Sequence, residues 1–188
     1  IPPEVIDFLQ SGTNWNFGST EPFSLFKSPD PTAPLPWTNI NQISVVFSQD
    51  VDVTQDSLGL YGINVSEYEF LTDDVSDTAP TEFDGFRYDP EAMTATWTLS
   101  EYLGTDALLV QIAGEQTDTS PVRSSTTEEL LNGGQDYLNS FYVLPGDATR
   151  NAVVSVVDLV NISAKVEAGQ FGSDYDEFHD LNRDGAIS

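Results

Sequence analysis

Up to about residue 143, apolar and polar side chains alternate with a period of two, the spacing of a strand that lays one face on a core. Ile43, Val45 and Phe47 alternate with Ser44, Val46 and Ser48. Met93, Ala95, Trp97 and Leu99 alternate with Thr94, Thr96 and Thr98, the clearest half-buried antiparallel strand of the chain. Phe86-Arg87-Tyr88 precedes it across Asp89-Pro90-Glu91-Ala92, where the proline suits a type I turn, so the two segments are expected to form a hairpin. Leu58/Leu60, Val65 with Tyr68 and Phe70, Leu108/Val110/Ile112, Tyr137/Phe141/Val143, and Val5 to Leu9 supply further short strands. Turn signals between them predict a mainly β chain whose residues 1–143 form an antiparallel β-sandwich.

Two stretches interrupt the rhythm. Residues 11–40 hold Pro22, Pro29, Pro31, Pro34 and Pro36, too many for a central strand, and residues 114–134 are polar and end in Asn132-Gly133-Gly134. Both are expected to cover the open ends of the sandwich, the first pinned by Trp15, Phe17, Phe23, Phe26 and Trp37. Near residue 144 the period lengthens to three and four. Val156/Val160 and Leu159, Ile162 and Val166 predict an amphipathic helix from about 156 to 168, ended by Gly169. Residues 144–188 therefore read as a second, helical unit, joined to the sandwich by the short, stiff connection Leu144-Pro145-Gly146.

Charge narrows the possible partners. With 31 Asp and Glu against 6 Lys and Arg the formal charge is −25, and the scattered cations offer no basic patch for nucleic acid or anionic lipid. Most of this acidity belongs to the sandwich surface, since residues 144–188 carry only 8 of the acids. The absence of cysteine excludes disulfides, thiol nucleophiles and thiolate metal sites. No apolar run approaches the roughly 20 residues that span a bilayer, so no membrane insertion is expected. A chain that begins Ile1-Pro2-Pro3 without a leader and stops within the pattern described next is expected to be a piece of a longer protein.

The informative residues lie in two segments, Asp147 to Asp158 and Asp180 to Ser188. Both place side-chain oxygens at loop positions 1, 3, 5 and 9. Calcium (Ca2+) is a hard cation taking six to eight oxygens, and an EF-hand-type loop supplies them from positions 1, 3, 5, 7 through a carbonyl, 9 and 12. The first copy offers Asp147, Thr149, Asn151, the Val153 carbonyl, Ser155 and Asp158. The second offers Asp180, Asn182, Asp184, the Ala186 carbonyl and Ser188. Apolar Val154 and Ile187 at position 8 would let the two loops pack together. The competing account is an Asx-rich turn before a helix, with Asp147 or Ser155 as its cap.

On these residues the tail, about the last 45, resembles a type I dockerin, a module of two calcium loops each leading into a helix. The segment before it, with Ile43-Ser44-Val45-Val46-Phe47-Ser48, Asp56-Ser57-Leu58-Gly59-Leu60-Tyr61-Gly62 and Phe141-Tyr142-Val143-Leu144-Pro145-Gly146-Asp147, resembles bacterial Ig-like sandwiches that precede dockerin repeats in large secreted proteins. The resemblance implies an Ig-like sandwich with a small EF-hand-like module, calcium as cofactor, a cohesin-like partner and a place outside the cell or on its surface. Ala152 stands at position 6 where that family prefers Gly, and Thr149 replaces an acid or amide, so weaker calcium binding is expected. Val156 and Val157 stand where dockerins carry polar recognition residues, and an alternative is that they pack on this chain's own sandwich. Mutual repulsion of the ligand carboxylates would leave the tail loose without calcium, and chelator would then melt residues 147–188 and spare the sandwich.

No catalytic signature accompanies this pattern. The sole histidine, His179, sits beside a loop acid and reads as an exposed helix-end residue. A phosphate loop and a zinc motif are both lacking. The acidic groups Asp50, Asp52 and Asp56, and Asp73, Asp74 and Asp77, read as solvated loops, with a further calcium as the alternative. Three functions stay open. The first is a non-catalytic calcium-binding assembly module. The second is a carbohydrate-binding module that stacks sugars on exposed Trp15 and Trp37. The third is a hydrolase fragment with paired carboxylates.

Overall fold

A computed structural model describes residues 1–12, 15, 30, 32–72, 85–166 and 175–187. Among them the chain is mainly β, with antiparallel sheets and one helix. The strands are β1 (Val5–Ser11), β2 (Gln42–Phe47), β3 (Val51–Asp52), β4 (Leu58–Gly62), β5 (Phe86–Asp89), β6 (Thr94–Thr98), β7 (Asp106–Ile112), β8 (Arg123–Ser124) and β9 (Tyr137–Val143). The helix is α1 (Val156–Lys165). One sheet has the order β1-β2-β6-β5, a second β4-β7-β9, and β3 pairs with β8.

Alternation explains why the two larger sheets share a single core. Ile43, Val45 and Phe47 of β2, Ala95 and Trp97 of β6, and Leu58, Leu60, Leu108, Val110, Ile112, Phe141 and Val143 of the second sheet are buried in one cluster. Removal of these side chains from water is the main stabilising term of such a sandwich-like body. Trp97 is satisfied at its polar end, where Nε1 donates to the Gln55 carbonyl at 2.9 Å. The predicted hairpin is β5 and β6, with Tyr88 opposite Ala95 and Asp89 opposite Thr94. Its turn is built by Asp89, whose Oδ1 accepts from the amides of Glu91 and Ala92. Met93 belongs to that turn at φ 51° and is exposed, so the strand begins one residue later than the alternation suggests.

The expected strand through Val65, Tyr68 and Phe70 does not form; only Phe70 bridges, to Leu99. Its amides go elsewhere. Buried Asp106 at the start of β7 accepts from the amides of Ile63, Asn64 and Val65 and from the Tyr68 hydroxyl. Burial pushes the Asp106 carboxyl up, and those hydrogen bonds outweigh it, leaving the group below the ordinary carboxylate value.

Leu35 and Pro36, within the proline-rich stretch, lie along the end of β9, and Ile40 and Asn41 turn back to Leu103, Ser11 and Leu99. Leu35 bridges Val143 in parallel, its amide donating to Tyr142 O at 2.8 Å and its carbonyl accepting from Leu144 N at 2.9 Å. Gly146 N then donates to Pro36 O at 2.9 Å, so the connection to the tail is held on both sides of Pro145. Trp15 and Trp37 pin the stretch as expected, being 4% and 0% exposed; Phe17, Phe23 and Phe26 lie outside the described residues. No helix among the described residues is long and apolar enough to cross a membrane.

Candidate metal centre

The first loop closes on itself. Asp147 Oδ1 accepts from Asn151 N at 3.1 Å and Thr149 Oγ1 at 3.3 Å, and Oδ2 accepts from Ala152 N at 2.8 Å. Eleven positions on, Asp158 turns back into the loop: Oδ1 accepts from Thr149 N at 3.0 Å and Oγ1 at 2.8 Å, and Oδ2 from Ser155 N at 2.8 Å. These bonds, the Thr149 amide first, hold the Asp158 carboxyl down to about 2. Ser155 caps α1, its Oγ accepting from Val157 N at 3.2 Å, and forms a capping box with Asp158. The predicted ligands Asp147, Thr149 and Asp158 are thus brought together, and Ser155 joins them through Asp158.

The second loop repeats three hydrogen bonds of the first. Asp180 O accepts from Arg183 N at 3.3 Å, as Asp147 O does from Arg150 N at 3.1 Å. Asp180 Oδ2 accepts from Gly185 N at 2.9 Å, the counterpart of the Ala152 bond. Asp184 Oδ1 accepts from Ala186 N at 2.9 Å, as Asn151 Oδ1 does from Val153 N at 2.9 Å. Positions 4 and 6 are left-handed in both copies, with φ of 56° and 67° at Arg150 and Ala152 and of 51° and 89° at Arg183 and Gly185. Asn182 donates to Asp184 Oδ2 at 2.9 Å. Ser188 lies outside the described residues.

A cation would find different conditions in the two copies. Asp180 is buried, Tyr175 and Gly185 occupy its Oδ2, and its Oδ1 is enclosed with no hydrogen-bond partner among the described residues. An enclosed carboxylate oxygen without a donor is costly, and a hard cation would satisfy it. In the first loop every carboxylate oxygen already accepts a hydrogen bond from the loop itself. No group of three or more His, Cys, Asp or Glu side chains gathers for a metal among the described residues. The first loop brings the carboxylates of Asp147 and Asp158, and positions 1 to 9 of the second bring those of Asp180 and Asp184; the remaining donors are hydroxyl, amide and carbonyl oxygens, a hard all-oxygen set of low charge in the first.

Both loops are fastened to the sandwich through position 4. Arg183 is 2% exposed, its guanidinium over the rings of Trp15 at 4.3 Å and Trp37 at 4.1 Å, and it pairs with Glu177 at 3.1 Å. Desolvation pushes this guanidinium down to about 10, with Glu177 opposing the shift. Trp37 stacks on Phe178 at 5.7 Å, and Arg150 lies over the other partner of that stack, 4.5 Å from the Phe178 centroid. Arg150 also donates to the carbonyls of Asp30, Ala33 and Pro34. Thr38 N and Oγ1 both donate to Leu181 O, Asn39 Nδ2 donates to Asn182 O, and Trp37 Nε1 donates to Glu177 O at 3.0 Å.

Several expectations are corrected by these contacts. Trp15 and Trp37 are buried and hold Arg183, so they form no exposed platform for sugars. Val156 and Val157 do not pack on the sandwich; they are 70% and 52% exposed. Position 8 does not pair the loops in kind, because Ile187 is buried while Val154 stays half exposed. His179 is half-buried, its Nδ1 3.0 Å from Asp176 Oδ2, and not an exposed helix end. Asp50 accepts from Tyr88 OH and Ser125 Oγ, which ties a loop; Asp73, Asp74 and Asp77 lie outside the described residues. The helix covers Val156–Lys165, with Val166 as its C-cap, and Gly169 lies outside the described residues. The position 4 arginines and Phe178 were missed, although an arginine recurs at the same loop position in both copies. Comparison with family models, curated proteins and solved structures finds no match for this chain.

Proposed function

We propose that this chain is a calcium-binding structural and assembly module: an Ig-like sandwich with a dockerin-like tail, part of a secreted or cell-surface protein and without catalytic activity of its own. The observation that carries the reading is the repeated loop, in which two copies share backbone handedness at positions 4 and 6 and three hydrogen bonds, and one encloses an Asp180 Oδ1 with no donor among the described residues. A low-charge oxygen set binds calcium weakly, in the range of extracellular modules and not of cytosolic sensors. That range supports the location outside the cell.

Strand order supports the Ig-like part. With the two-residue β3 and β8 set aside, the orders β1-β2-β6-β5 and β4-β7-β9 match the A-B-E-D and C-F-G orders expected of an Ig sandwich. The attachment role is supported by α1, where Val156, Val157, Leu159 and Val160 are all exposed, with Val153 and Val154 beside them. An apolar helix surface on so acidic a protein suits the groove of a protein partner, and a cohesin-like domain is the partner proposed.

Calorimetric titration of calcium into chelator-treated protein, beside Asp147→Ala and Asp180→Ala, tests the reading. Saturable binding weakened by each substitution is the expected result. No binding to the parent chain would sink it.

A further inference from the structure

Position 4 supplies no ligand in the calcium scheme, yet both loops carry an arginine there in a left-handed conformation that L-residues resist. The two side chains meet one aromatic row. Arg183 lies over Trp37, Trp37 stacks on Phe178 at 12° between planes, and Arg150 lies over Phe178. Trp15 and Trp37, whose rings meet edge to face at 5.3 Å, come from the proline-rich stretch of the sandwich, while Phe178 comes from the tail. Each loop is thus attached to the sandwich by the residue between its ligand positions 3 and 5.

We propose that Arg150 and Arg183 are positioning residues that make cation occupancy of the two loops and stability of the sandwich a single linked equilibrium. The proposal rests on the calcium reading above. A cation held by positions 1, 3 and 5 fixes the backbone of position 4 and so seats the guanidinium on the rings. With the cation gone, the Asp180 and Asp184 carboxylates repel, the loop opens and the arginine loses its seat. Linkage is reciprocal, so a seated arginine preorganises the loop for the cation by the same factor. Two loops that share Trp37–Phe178 also favour each other's occupancy. The tail therefore does not melt alone on chelation, contrary to the expectation from sequence.

The test uses the full chain with calcium chloride and a chelator, comparing the parent with Arg183→Ala, Arg183→Lys and Arg87→Ala. Arg87 is exposed on β5 and its loss changes net charge equally. Loss of a cation alone would strengthen calcium binding by general electrostatics, so the sign discriminates. The expected result is a calcium Kd raised about tenfold in Arg183→Ala, partly recovered in Arg183→Lys and not raised in Arg87→Ala. Calcium should also change tryptophan fluorescence in the parent, and chelator should lower the melting temperature of the whole chain in one transition. Calcium binding with the same Kd in Arg183→Ala, or a sandwich transition unmoved by chelator, overturns the linkage and leaves the calcium reading standing. No calcium binding to the parent overturns both. Should Arg183→Ala fail to fold, Arg183→Lys and the parent's melts decide.

Discussion

Ala152 donates its amide to Asp147 Oδ2 at 2.8 Å from a left-handed backbone, φ 67°, and Gly185 makes the same bond to Asp180 at φ 89°. The bond needs that conformation, which costs a residue with a Cβ about 1–2 kcal/mol and costs glycine almost nothing. Ala152→Gly should therefore stabilise the first loop by roughly 1 kcal/mol, although glycine's freer unfolded chain offsets part of the gain. Gly185→Ala should destabilise the second by a similar amount. Thermal melts of both variants in calcium check the opposite signs.

Asp106 predicts acid sensitivity in the sandwich. Its folded pKa lies below the ordinary carboxylate value. Its contribution is thus fully present above about pH 4 and is lost as the pH falls below that, through the folded value. Asp106→Ala would leave the amides of Ile63, Asn64 and Val65 without their acceptor and should cost about 2–4 kcal/mol at neutral pH. Urea unfolding between about pH 2 and pH 6 should show a parent that loses stability on acidification and an alanine variant whose loss is smaller.

Asp106 and Asp147 mark where the sequence was readable and where it was not. Alternation located β2, β6 and β7 because each lays one row of apolar side chains on the core, a local signal of period two. It failed over residues 63–69, where the backbone is organised by Asp106, some forty positions away, and no local pattern reports so distant an acceptor. It also missed β3 and β8, two residues each, too short to show a period. In the tail, spacing brought out the two loops, whose backbone handedness at positions 4 and 6 the structure repeats. The arginines between them were equally visible as a repeat, but an exposed charge and a buried one on tryptophan look alike until Trp15 and Trp37 are placed.

The apolar surface of α1 should tolerate charge. Val156, Val157, Leu159 and Val160 are more than half exposed, so Val156→Asp combined with Val160→Asp should change unfolding free energy by no more than about 1 kcal/mol. The same pair should abolish capture of a cohesin-like domain if this face is the attachment surface. Binding measured on an immobilised cohesin, with the melting temperature recorded in parallel, separates a lost surface from a lost fold.

The two loops should fill in order. Over positions 1 to 9 the second loop carries Asp180 and Asp184 against Asp147 alone in the first. Hydrogen bonding ranks them the same way, because Asp180 Oδ1 has no donor among the described residues, whereas in the first loop Thr149, Asn151, Ala152 and Ser155 already donate to Asp147 and Asp158. A cation entering the first loop must displace some of those bonds, each worth about 1 kcal/mol net, while one entering the second relieves an unpaired oxygen. The second loop should therefore bind calcium about tenfold more tightly. Asp180→Ala should remove the tighter step of a two-step calorimetric isotherm, and Asp147→Ala the weaker one. Loss of the tighter step in Asp147→Ala instead would mean that the hydroxyl and amide donors of the first loop turn aside at little cost, and that its closed form is already shaped for the cation.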